Sequence, residues 1–329
     1  MNRQWLKKKL YFLRRNSWVL MYHRVSKEGI DPWDLCVEPE IFEAQLKWYK
    51  KNCKILSLDT LIDNWRENKL KPHSIAITFD DGYLDNYTQA KPLLEKYNLP
   101  ASFFITSGNT IDQSTFWWDQ LAEIILKTEI LPGRFSIHIS EEIVVFDIFG
   151  EEHLTPPIRA QLTSWRFPQP SPNKRAELYY QLWFKLRGLP ANEQKKILKE
   201  LQSAVAIENI PVTAPVMNAQ QVKELSLHPL FSIEAHTVSH PFLAGTNENI
   251  QANEIRENKQ TLESITEKKV KFISYPYGSY DDNTLMLAKE ESFTAALTTQ
   301  PAPLQKTSNP FLVGRMNIVN STDYKRDIW

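Results

Sequence analysis

The sequence predicts an α/β protein built on parallel strands. Short apolar runs alternate with helix-spaced segments, first up to residue 108 and again from about residue 218. The runs are continuous rather than alternating, as expected of buried strands. Two of them stop abruptly at polar clusters, Asp80-Asp81-Gly82 and His236-Thr237-Val238-Ser239-His240. The C-terminal ends of parallel strands are where α/β folds collect their chemistry.

The elements follow in order. Residues 16–25, NSWVLMYHRV, end in a buried strand. Residues 40–52 have helical spacing, with Phe42, Leu46 and Trp48–Tyr49 three to four apart, and 58–66 form a second helix with Asp59 as N-cap. HSIAITF (73–79) is a strand that stops at the acidic pair. A helix over 83–97 leads to the strand LPASFFIT (99–106). The alternation resumes with the helix NAQQVKELSLH and the strand 231–235. Helix 249–267 leads to strand 270–275, helix 281–291 to strand 293–297, and a last strand covers 311–319. Between the halves, 109–215 reads as an insertion. It holds an apolar-striped helix (TFWWDQLAEIILK), a hairpin (RFSIHISEEIVVFDIFG), a Pro-rich link (TPPIRA, FPQPSPN), and polar helices at 173–188 and 191–206.

Composition narrows the function. The 39 basic and 39 acidic residues of the 329-residue chain cancel, which argues against nucleic acid as partner. The ten Trp read mainly as core, and Trp117, Trp118, Trp165 and Trp183 as core of the insertion rather than a sugar-facing stripe. Only Cys36 and Cys53 are present, so a disulfide framework is not expected and a reducing compartment fits. The start lacks an apolar run of signal-peptide length, and the chain has no 18-residue apolar stretch. The expectation is a cytoplasmic protein. Residues 1–15 interleave Trp5, Leu6, Leu10, Tyr11 and Leu13 with Lys7, Lys8, Lys9, Arg14 and Arg15. They read as a basic amphipathic helix packed on the domain, or as a peripheral contact of residues 2–15 with the inner membrane.

Three strand-end segments carry chemistry. In Thr78-Phe79-Asp80-Asp81-Gly82, adjacent carboxylates can divide labour, one ligating a cation and one taking a proton. A helix N-cap with an acidic first turn explains the same residues without catalysis. His236 and His240, four apart, can share one face of a helical turn and aim at one point. Two His and one carboxylate leave open positions on a metal, as catalytic sites do. In Ser274-Tyr275-Pro276-Tyr277-Gly278 the Pro and Gly impose an unusual path that can aim a backbone N–H into a cleft.

Together, TFDDG, HTVSH and YPYG resemble the NodB-homology polysaccharide deacetylases, carbohydrate esterase family 4, in the family's order. MYHRV near the start and ALTT at 296–299 resemble the poly-N-acetylglucosamine branch. The resemblance spans about 16–108 and 216–320. It implies a distorted (β/α)7-type barrel over 16–108 and 216–329, with 109–215 as a mainly helical cap over one face and 1–15 as the basic segment. It implies Asp80 as general base, and Asp81, His236 and His240 as ligands of one divalent metal: zinc first, cobalt or nickel otherwise. The Tyr277 N–H would bind the oxyanion. The implied reaction removes an N-acetyl or other N-acyl group from an amino sugar, in a glycan or in a lipid- or nucleotide-linked precursor of envelope or exopolysaccharide. The alternatives are a deformylase of an undecaprenyl-linked amino sugar, an inactive carbohydrate-binding member, and a protein-directed amide hydrolase. Three departures stand out. The family's Arg before Pro-Tyr is replaced by Ser274, with Arg315 on the last strand as its substitute. No DxxW motif is present. LVGRMNIV lacks the acid-supplying His of the LxxH motif, and His23 is the candidate acid in its place.

Overall fold

The computed structural model describes residues 16–323, so the expected basic segment 1–15 lies outside the described residues. The chain divides into two compact units. Among the described residues the first comprises 16–27, 35–113 and 216–323; the second comprises 28–34 and 114–215. The second unit therefore starts after Gln113 rather than at 109, and it recruits a short stretch from near the start of the chain.

The first unit is a parallel sheet. Its strands are β1 (Trp18–Tyr22), β4 (Lys54–Ile55), β5 (Ser74–Phe79), β6 (Ala101–Ile105), β9 (Phe231–Ala235), β10 (Phe272–Ser274), β11 (Ala295–Leu297) and β12 (Met316–Asn317). The short strands β2 (Arg24–Val25) and β3 (Cys36–Val37) pair with each other. The spatial order is β11-β10-β9-β6-β5-β1-β12, with β4 added to β5. The last segment closes the curl. Val313 donates to Ala296 O on β11 (2.9 Å), while Ile318 donates to Met21 O on β1 (2.9 Å). One stretch thus serves both ends of the sheet and changes partner at Gly314–Arg315. That is why the expected strand 311–319 is only two residues long.

Both faces are buried. On β5, Ile75, Ile77 and Phe79 join the larger core beneath the helices, with Phe42, Leu46 and Leu94. Ala76 joins the second core, with Leu58, Leu61, Ile62 and Trp65. Side chains alternate along a strand, so Thr78 and Asp80 continue the Ala76 side. In the larger core Tyr22, Phe79 and Phe103 stand in register on three neighbouring strands. Tyr22 and Phe79 stack at 5.4 Å, and Phe79 and Phe103 at 5.1 Å. Such pairs add about 0.5–1.5 kcal/mol each beyond area burial. They pin the three strands one residue before His23 and Asp80.

Several expected elements shift for identifiable reasons. The helix Leu58–Arg66 is capped by Ser57, whose side chain accepts from Thr60 N, and Asp59 lies in its first turn. The strand expected over 270–275 begins at Phe272. Before it, the Lys271 and Phe272 N–H groups bond to the buried Glu234 carboxylate (3.0 and 2.9 Å). The helix expected from 83 starts as a widened π turn at Asn86–Ala90 and continues through Lys91–Tyr97.

The second unit contains the antiparallel hairpin β7 (Arg134–Ile139) and β8 (Glu142–Asp147). The Pro-rich link is in fact partly helical, over Pro156–Ser164, with prolines where a first turn tolerates them. Helices Lys174–Leu186 and Ala191–Ala204 follow. Trp117, Trp118, Trp165 and Trp183 are all buried. Trp33, from the recruited stretch, packs on Trp183 with ring centroids 4.0 Å apart and donates to Tyr179 Oη (2.8 Å). Among the described residues no helix is long and apolar enough to cross a membrane.

Candidate metal centre

Asp80 prolongs β5, its N–H donating to Tyr22 O at 2.9 Å. The chain then turns sharply. Asp81 and Gly82 both have positive φ (74° and 92°), a region open to glycine and tolerated by aspartate. This turn sends the adjacent carboxylates to different partners, Asp81 to two imidazoles and Asp80 to a guanidinium.

His236 follows β9 directly, but residues 236–240 are not the helical turn expected from their spacing. They form an irregular loop with positive φ at Thr237 (64°) and His240 (57°). The loop brings the two ring centroids within 4.9 Å. His236 Nε2 lies 3.2 Å and His240 Nε2 3.4 Å from the same oxygen, Asp81 Oδ1. All three residues are buried, and their ligand atoms lie within 4.8 Å of one another. Metal–ligand bonds of about 2.0–2.1 Å at tetrahedral angles separate donor atoms by about 3.4 Å.

The electrostatics are compatible with a positive charge between these side chains. His236 Nδ1 is 2.8 Å from the Ser274 carbonyl, which fixes the proton on Nδ1 and leaves Nε2 a bare lone pair in the neutral ring. Asp81 Oδ1 is buried without a hydrogen-bond donor. In that neutral form the His236 Nε2 lone pair faces Asp81 Oδ1. Burial pushes the Asp81 carboxyl up, but the His236 and His240 rings, when they carry a proton toward it, prevail and hold it well below its usual range. Burial pulls His236 down, yet Asp80 and Asp81 outweigh it and raise the ring. For His240 burial wins and the ring is lowered. Arg315 matches the charge of Asp80, whereas Asp81 faces the two imidazoles, and a divalent ion fits these three donors with coordination positions to spare.

Asp80 is served by Arg315. Nη1 donates to Asp80 Oδ1 at 2.7 Å and Nη2 to Oδ2 at 2.6 Å, a forked pair with Arg315 fully buried. Ser274 Oγ bridges them, accepting from Nη2 (2.7 Å) and donating to Asp80 Oδ2 (3.2 Å). Arg315 Nε donates to Thr298 O at 3.0 Å. Burial pushes the Asp80 carboxyl up, and Arg315 with His236 more than reverses this, leaving it below its usual range.

His23 lies just past β1, half-buried, with its carbonyl held by Asn86 Nδ2 at 2.8 Å. A charged His23 ring lowers both Asp80 and Asp81, so it stands within electrostatic reach of both. Tyr277 has positive φ (57°), and its ring packs edge-on against His240 at 4.5 Å. The turn tolerates only glycine at 278, where a Cβ would fall 2.2 Å from Thr299 Oγ1.

Sequence reasoning overlooked Glu254, Asn258 and Ser274 Oγ, all turned toward these residues. Glu254 and Asn258 sit on a polar helix in no motif, and only their burial against the loop reveals them.

Comparison with known proteins gives a consistent result. A family profile described as polysaccharide deacetylase matches residues 67–128 and 192–296. The matched stretches exclude 129–191, which belong to the second unit. YxkH of Bacillus subtilis, which bears a polysaccharide deacetylase name, is 21% identical over 302 residues, spanning 91% of this chain and 70% of that protein. The poly-β-1,6-N-acetyl-D-glucosamine N-deacetylase of Staphylococcus aureus is 29% identical over 146 residues. That match spans 40% of this chain and half the length of the staphylococcal protein. The deacetylase PplD of Streptococcus pyogenes, solved with acetate, superposes with a TM-score of 0.59 at 18% identity. The superposition covers 94% of this chain and 96% of that one, so the two share a fold.

Proposed function

The chain belongs to the polysaccharide deacetylase family, and from that membership we propose that it hydrolyses the N-acyl amide of an amino sugar in a glycan or glycan precursor. One observation carries the reading: Asp81, His236 and His240 converge on a single point, beside a separately held carboxylate.

Asp81, His236 and His240 would hold a divalent metal, which would supply Lewis acidity toward a water and the acyl carbonyl. Asp80, kept ionised by Arg315, takes the proton as that water attacks. The Tyr277 N–H donates to the developing oxyanion. His23 gives a proton to the leaving nitrogen, and the products are a carboxylic acid and a free amino sugar. Arg315 takes the supporting role that the resemblance assigns to the arginine replaced by Ser274. The staphylococcal relative, named for poly-β-1,6-N-acetyl-D-glucosamine, makes β-1,6-linked N-acetylglucosamine oligomers the first substrate to try. Zinc is the first metal, cobalt and nickel the next. A lipid- or nucleotide-linked sugar acted on in the cytoplasm, at the membrane surface if residues 2–15 dock there, is the finer form of the proposal.

The test incubates zinc-loaded protein with N-acetyl and N-formyl amino-sugar oligomers and reads products by mass spectrometry. Acetate release supports the deacetylase and formate release the deformylase. Asp81→Asn should abolish either, and Asp80→Asn should lower the rate about a hundredfold or more. Glycan binding without turnover by the metal-loaded wild type would overturn the hydrolase reading in favour of an inactive binder.

A further inference from the structure

We propose that Glu254 and Asn258, one turn apart on the helix Glu248–Thr266, are positioning residues that hold the 236–240 loop in its ligand-binding shape and thereby set metal affinity. The inference rests on the ligand reading of Asp81, His236 and His240.

Asn258 works where the sheet runs out. The β6–β9 register ends at Ile105 opposite Ala235. Past that pair the regular ladder stops, and the Ile105 carbonyl and the His236 N–H find their partner on the neighbouring helix. The Asn258 amide takes the ladder's place. Its Oδ1 accepts from His236 N (3.1 Å), and its Nδ2 donates to Ile105 O (3.0 Å) and Thr237 O (2.5 Å). Asn258 is fully buried. The His236 backbone is therefore anchored from the helix as well as from its own strand.

Glu254 holds the next two residues. Oε2 accepts from both Val238 N and Ser239 N at 2.8 Å, and Oε1 accepts from Ser239 Oγ at 2.5 Å. Across the loop, Ser107 N and Gly108 N donate to Thr237 O (3.2 Å) and Val238 O (2.9 Å). The loop carries two non-glycine residues with positive φ, Thr237 and His240, a conformation that persists only where surroundings over-determine it. Relaxing either residue would swing an imidazole away from Asp81. The two helix side chains supply that constraint, in the manner of partners that orient metal ligands from outside the coordination sphere.

The test measures zinc affinity of the folded full chain by competition with a chromogenic chelator. Glu254→Ala and Asn258→Ala should each weaken zinc about 10–100-fold, with circular dichroism showing the fold retained. Glu254→Gln and Ser239→Ala are milder variants. Each removes part of the carboxylate cradle and should weaken zinc by a smaller factor, so the idea remains testable if an alanine variant does not fold. Thr266→Val provides the structural control. Its hydroxyl bonds Leu262 O on the same helix, away from the loop, so this change should lower the melting temperature but leave zinc affinity alone. Wild-type affinity in folded Glu254 and Asn258 variants overturns the proposal and leaves the ligand reading standing. A wild type that binds zinc no better than Asp81→Asn overturns the ligand reading, and the proposal with it.

Discussion

Arg315 forks onto Asp80 with no exposure to solvent, a geometry that a lysine cannot copy. Replacing it with Met keeps bulk but leaves a buried carboxylate unpaired. That should cost about 3–5 kcal/mol in urea unfolding. The pH dependence follows from the sign of the shift. Asp80 is depressed in the fold, so its contribution to stability is present above the unfolded value near 3.8 and fades as pH falls through the lower folded value. Without Arg315 the burial that raises the carboxyl loses its largest opponent. The acid limb of the rate profile of Arg315→Met should therefore move to higher pH, and an unmoved limb would remove Arg315 from the base's support. The residue itself is visible in the sequence. Its pairing with Asp80 is expected only through the family resemblance, because nothing local links positions 235 apart.

The 236–240 loop is an element defined by its neighbours. The spacing of His236 and His240 suggests a helical turn, but its backbone is committed elsewhere, to Glu254, Asn258, Ser107 and Gly108. At Gly108 an added Cβ would sit 2.7 Å from Val238 O. Gly108→Ala should push the loop outward, cost about 1–3 kcal/mol of stability as overpacking does, and weaken zinc in calorimetric titration. Unchanged zinc binding would mean that the loop's position does not govern the ligands. Strands were easier to read than loops, because continuous apolar runs report burial on both faces directly. Their ends were misjudged where a side chain replaced the ladder, as Glu234 does at Lys271 and Phe272.

The proposed ligands come from both halves of the barrel sequence, Asp81 before the second unit and His236 and His240 after it. A bound ion therefore ties β5 to β9 across the intervening β6. Free zinc at a hundred times its Kd should add about 2.7 kcal/mol to stability, seen as a rise in Tm on adding zinc to metal-stripped protein. Asp81→Asn should show no such rise, and an equal rise in both would place the metal elsewhere. The sequence by itself determined the strand–helix alternation, the buried character of the strands, and the strand-end positions of Asp80, Asp81, His236 and Tyr277, because periodicity and burial are written locally in the chain. Only the tertiary structure decided that two neighbouring aspartates face different partners, that Arg315 forks onto both oxygens of Asp80, that residues 28–34 join the second unit, and that a polar helix grips the histidine loop. Those outcomes depend on backbone turns with positive φ and on hydrogen bonds between residues far apart in the chain, and no local pattern of residue types encodes either.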